Sequence, residues 1–215
     1  MKRAKKITTL LVALSIIGTN FTPVLAQAAE KPIDMPQTID ITDNNENSTK
    51  FKVSERLTYD QLVDKVVENE NISVEEAREF LGNREITRSY RDDYRTYETK
   101  LDVKKNYKPT LCFYCETSEW GPTYVGIKKV LNTSLNRKYK GDVKQFSGTI
   151  YTNLESANTI YFEVNGEFYN YGSTTCTGGV EIGIGEHNKV SFSVSDSGGE
   201  FKYVKINDRY NLHHN

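Results

Sequence analysis

Ile160-Tyr161-Phe162-Glu163-Val164 alternates apolar and polar residues, Asn165-Gly166 follows, and Glu167-Phe168-Tyr169-Asn170-Tyr171 takes the alternation up again. A period of two puts one set of side chains on each face of an extended strand. Asn-Gly is the favoured pair for a two-residue hairpin turn, because both positions tolerate positive φ. The stretch therefore predicts a β-hairpin turning at Asn165-Gly166. Further strands are expected at 111–116, 124–131, 145–152, 180–184, 189–195 and 201–206. Short alternating runs separated by Gly, Asn, Asp and Ser predict a mainly β fold, an antiparallel β-sandwich or barrel over residues 88–215. Of the 14 tyrosines, all but Tyr59 lie in this part of the chain.

Upstream the period changes. Leu62, Val63, Val66 and Val67 recur at helical spacing, and Ala77, Phe80 and Leu81 do so again after Ile72. Thr58 suits the N-cap of a first helix, and Ser73 with Glu76 forms a capping box for a second that Gly82 can end. A small helical hairpin is expected over 56–84, packed on the rest. The spacing of Leu62, Val66, Ile72, Ser73 and Glu76 is also similar to that of a LysM wall-binding module, without the Gly-Asp turn before its first helix. Between hairpin and strands, Tyr90, Tyr94, Tyr97 and Leu101 fit a helix while Arg91, Asp93, Arg95, Tyr97 and Thr99 fit a strand; the β context favours the strand. Before the hairpin, residues 29–55 are rich in Asp, Asn and Glu and read as a disordered linker. Within it Asp43-x-Asn45-x-Asn47 imitates the start of a calcium loop. Ser48 stands where that loop needs glycine, and Ser54 where it needs a bidentate glutamate.

Lys2, Arg3, Lys5 and Lys6 precede an apolar run from Ile7 to Ile17, and Ala26-Gln27-Ala28 supplies the small residues that signal peptidase requires. Residues 1–28 read as a cleaved signal peptide with the cut between Ala28 and Ala29. The run is too short for a membrane span, which takes about 20 apolar residues. With no cysteine near the cut and no sorting motif at Asn211–Asn215, a secreted, extracellular protein is expected, in the style of a Gram-positive secretome. Cleavage takes the formal charge from −1 to about −5. Nucleic acid is not an expected partner, and an anionic polymer would have to be met by a local basic patch.

The catalytic motifs are fragments. Cys112-Phe113-Tyr114-Cys115 has C-x-x-C spacing, but on a strand residues i and i+3 point to opposite faces. For an exported chain the expected arrangement is Cys112 or Cys115 bridged to Cys176, worth roughly 4 kcal/mol by chain entropy, or buried free thiols. Ser195-Asp196-Ser197-Gly198-Gly199 resembles the G-D-S-G-G around the nucleophile of trypsin-like serine proteases. It lacks the first glycine and an upstream Ala-Ala-His, so a loop joining two strands is expected. His187 falls in a turn by composition and His213-His214 at the terminus, which leaves no zinc set, and no cofactor motif is present. Glu163, Glu167, Glu181 and Glu186 lie in or near strands and keep a carboxylate-dependent hydrolase in view.

What remains is surface. Tyr161, Tyr169 and Tyr171, with Trp120 and Tyr124 around Gly121-Pro122, are of the type that stacks on sugar rings. Arg137, Lys138, Lys140 and Lys144 around Tyr139 form a basic cluster. These residues point to a non-catalytic binding module for a cell-surface glycan, a wall polymer such as teichoic acid, or a surface protein. The alternative is a membrane-active factor inserting an amphipathic hairpin such as 145–164.

Overall fold

The structure, a computed structural model, describes residues 51–82, 93–121 and 123–212. The expected signal peptide, the Ala28-Ala29 cut, the calcium-like stretch at 43–48 and His213-His214 lie outside the described residues. The fold is mainly β, an antiparallel sandwich with a small helical hairpin ahead of its main strands.

The first sheet has the order β1-β2-β3-β4-β9, formed by β1 (Phe51–Val53), β2 (Asp93–Lys100), β3 (Thr110–Trp120), β4 (Thr123–Asn136) and β9 (Ile182–Gly183). The ambiguous stretch after residue 90 is thus a strand from Asp93. The last residues of the expected linker are not linker: Phe51 is buried, stacks 4.0 Å from Tyr210 by ring centroids, and pairs with Thr99. An apolar aromatic at the end of a polar run is enough to draw it into the core. Strand β3 is buried on both faces. Leu111, Phe113 and Cys115 face the second sheet, whereas Cys112 and Tyr114 face the helices. These are α1 (Tyr59–Glu70) and α2 (Val74–Phe80), each opened by a capping box, Thr58 with Gln61 and Ser73 with Glu76. Their apolar stripes, Leu62, Val63, Val66 and Ala77, close over Tyr94, Cys112, Tyr114 and Leu131.

The second sheet consists of β7 (Gln145–Ser156), β8 (Thr159–Thr177) and β10 (His187–Asn211), each bonded to both others. That arrangement works because β8 and β10 are long and bend. The first half of β10 lies against β7, and its second half against the start of β8. Phe146, Ile150, Leu154, Ile160, Phe162, Val164 and Phe168 point inward and are fully buried against the first sheet. A short ribbon, β5 (Lys138–Tyr139) and β6 (Asp142–Val143), turns at Lys140-Gly141 with φ of 51° and 86°.

Two expected turns are absent, for one physical reason. Asn165-Gly166 lies inside β8, and the chain reverses at Ala157-Asn158 instead, between Ser156 and its partner Thr159. Gly166 sits opposite Gly148, where the backbones come too close for a Cβ: one on Gly166 would lie 2.3 Å from the Ser147 carbonyl oxygen. Likewise Asp196–Gly199 is no loop between two strands. It is a bulge within β10, with φ of 50° at Asp196 and 63° at Gly199 and a register shift between Ser195 and Gly198. In both places residues that favour turns serve to bend a long strand.

Candidate functional site

The expected basic cluster is divided by the fold. Arg137 turns inward, with Nη1 donating to Gln145 Oε1 at 2.8 Å, and burial lowers its pKa. The Lys144 side chain is 12% exposed; its ammonium pairs with Asp142 at 2.8 Å and sits 4.9 Å from the centre of the Phe201 ring. Lys138 and Lys140 are exposed on the β5–β6 ribbon, where Lys140 Nζ lies 5.4 Å from the Tyr139 ring centre.

Other segments complete the cluster. The connection from β2 to β3 closes on itself, Lys104 and Tyr107 exchanging backbone bonds of 3.1 and 3.0 Å. That turn buries Tyr107, whose ring meets those of Phe201, Phe168 and Tyr139 at 5.4, 5.6 and 6.3 Å. The Tyr107 hydroxyl donates to the Arg137 carbonyl at 2.6 Å, and burial pushes its pKa upward. With the ring fixed, Lys104 Nζ lies 3.7 Å from the centre of Phe201, the ring that Lys144 also approaches. Lys105 is exposed beside it, Lys108 pairs with Asp102, and Lys202 is exposed next to Phe201 in the chain. Three segments, 104–108, 138–144 and the strand at Phe201, thus meet here, with Lys104, Lys140 and Lys144 against the Phe201 and Tyr139 rings. An aromatic face holds an ammonium in place while leaving it charged and partly hydrated, at about 0.5–1 kcal/mol for an exposed contact. The sequence showed the middle segment; Lys104 and Lys105 lie too far from it in the chain for spacing to reveal.

The aromatic candidates do not form one platform. Trp120 is 82% exposed at the β3–β4 turn, while Tyr124 packs on the core and its hydroxyl donates to the Ala157 carbonyl at 3.4 Å. Tyr169 is half-buried and donates to Glu167 Oε2 at 3.0 Å. Tyr171 is 70% exposed where β8 bends against Gly198. Tyr161 has Tyr151 at 6.2 Å, and Tyr151 has His187, which composition assigns to a turn, at 5.4 Å.

No disulfide forms among the three cysteines. Cys112 lies under the helices and Cys115 in the sandwich core, both fully buried, whereas Cys176 is on β8 and open to solvent. The expected bridge fails because each thiol belongs to a different environment. Burial raises the Cys112 and Cys115 pKa values; partial cover of its sulfur, with the nearby Glu70 charge, pushes Cys176 up to about 11 against the pull of Arg137. The carboxylates are engaged separately: Glu181 with Lys129 at 2.7 Å, Glu186 with the Gly183 amide at 2.7 Å, and Glu167 with Tyr169. Among the described residues no group of three or more His, Cys, Asp or Glu is placed to hold a metal ion. Nor, among them, is any helix long and apolar enough to cross a membrane. Comparison with family models, curated proteins and solved structures found no match to this chain.

Proposed function

We propose that the protein is an exported, non-catalytic binding module that holds an anionic cell-surface polymer, such as teichoic acid, at the lysine-rich end of the sandwich. The observation that carries this reading is the approach of Lys104 and Lys144, from two distant segments, to one Phe201 ring, with Lys140 beside Tyr139. In a chain with more acidic than basic residues, gathering lysines at one place makes a local field opposed to the global one. Lysine ammoniums are point charges rather than planar forks, which suits a line of phosphodiesters read by charge density. The test is a calorimetric titration with polyglycerol phosphate at 50 and 500 mM salt. Binding should weaken by more than about tenfold at the higher salt. It should also vanish in the double variant Lys104→Glu/Lys140→Glu, whose changes fall on exposed side chains. Equal affinity in that variant would refute the assignment.

One observation favours a second reading, membrane insertion of the β7–β8 hairpin. Strand β7 has 12 residues in near-strict alternation, and about 9–11 tilted residues cross a bilayer. Its apolar side chains are the core itself, so insertion requires the sandwich to open. Dye release from anionic liposomes would support it, and intact liposomes at micromolar protein would remove it.

A further inference from the structure

Helix α1 ends against the outer face of the first sheet in a chain of polar side chains. Asn69 Nδ2 donates to the Tyr114 hydroxyl on β3 at 3.0 Å, and that hydroxyl lies 3.2 Å from Ser134 Oγ on β4. The Ser134 hydroxyl in turn serves the carboxylate of Glu70, the last residue of α1. Glu70 is only half-buried, yet its Oε1 is shut off from solvent and has no hydrogen-bond partner.

The charged form of Glu70 fits this place poorly. It stands at the negative end of the helix dipole, and the last turn of α1 holds no basic residue to offset it. The cation that faces it is Arg137, whose Nη1 already donates to Gln145 Oε1 at 2.8 Å. The ionisable groups facing it from the strands are Cys112 and Tyr114 on β3 and Cys176 on β8. Burial holds all three neutral at physiological pH, so none brings a compensating charge. We propose that Glu70 makes the seat of the helical hairpin pH-sensitive: its protonation clamps α1 to the first sheet, and its ionisation loosens the hairpin.

The sign follows from burial, which outweighs Ser134 and Arg137 and raises the Glu70 pKa above 4.5. Its stabilising effect on the seated hairpin is complete below the ordinary carboxylate value and is lost as pH rises through the higher folded value. What opens is the face that the helices cover, Tyr94, Cys112, Tyr114 and Leu131. Cys115 belongs instead to the core between the sheets. The two buried thiols therefore report on different openings, Cys112 on the hairpin and Cys115 on the sandwich.

The experiment is slow maleimide labelling of residues 29–215 between pH 5 and pH 8, with Glu70→Gln beside the wild type. Dividing the two rates at each pH cancels the titration of the thiol itself. At pH 8 Cys112 of the wild type is expected to react ahead of Cys115. The Cys112 rate ratio, wild type over variant, is expected to rise by about tenfold per pH unit above 4.5 and to level off once the folded pKa is passed. A ratio that stays flat across this range, or a Cys112 that reacts no faster than Cys115, would overturn the proposal. Where Glu70→Gln does not fold, carbon NMR of the Glu70 carboxyl in the wild type decides. A midpoint above 4.5 is expected, and one at or below 4.5 would overturn the proposal.

Discussion

Gly148 on β7 faces Gly166 on β8, and neither has room for a Cβ: one on Gly148 would lie 2.3 Å from the Asn165 carbonyl oxygen, and one on Gly166 2.8 Å from the Phe146 ring. This close approach lets β7 curl between β8 and β10. Gly166→Ala should therefore destabilise the fold by about 3 kcal/mol, as an overpacked core does. Urea unfolding measures this, and an unchanged midpoint would show that the strands can part without cost.

Arg95 and Glu119 form the most enclosed ion pair described, with Arg95 Nε donating to Glu119 Oε1 at 2.7 Å and the glutamate side chain only 1% exposed. Arg95→Met leaves that carboxylate buried without its cation and should cost about 3–5 kcal/mol. Arg95→Met/Glu119→Leu should recover most of the loss, because removing both charges also removes their desolvation. Thermal unfolding of both variants decides it; a double variant no better than the single one would mean the pair is needed for packing.

The thiols should separate kinetically. In the native protein Cys176 alone should react with a thiol reagent. With its pKa near 11 it is almost wholly protonated at neutral pH, so its rate should rise about tenfold per pH unit from 7 to 10. Cys112 and Cys115 should react after unfolding. Three fast thiols in the native state would contradict their burial.

Much of the fold was legible. Alternation located the strands, and helical spacing with the Thr58 cap and the Ser73–Glu76 capping box located α1 and α2, because each signal is local and each element's apolar face is buried. Asn165-Gly166 and Asp196–Gly199 misled for the opposite reason. Residues that permit tight turns also permit bulges and close strand contacts, and which use prevails depends on the strand opposite. The candidate site was half legible. Lys138 and Lys140 stood out beside Tyr139, but Lys104 joins them through the Phe201 ring, and His187 meets Tyr151 through a strand pairing between residues far apart in the chain. His187 looked like a turn residue because its neighbours Gly185 and Asn188 suit a turn, although it begins β10.

Co-sedimentation of residues 29–215 with purified Gram-positive cell walls, either retaining teichoic acid or stripped of it, at low and high salt, tests polymer binding most directly. Binding at the lysine-rich end gives pelleting on walls that retain the polymer, release at high salt, and loss of pelleting in Lys104→Glu/Lys140→Glu. A chain that stays in the supernatant throughout, or pellets equally on stripped walls and resists salt, would contradict it.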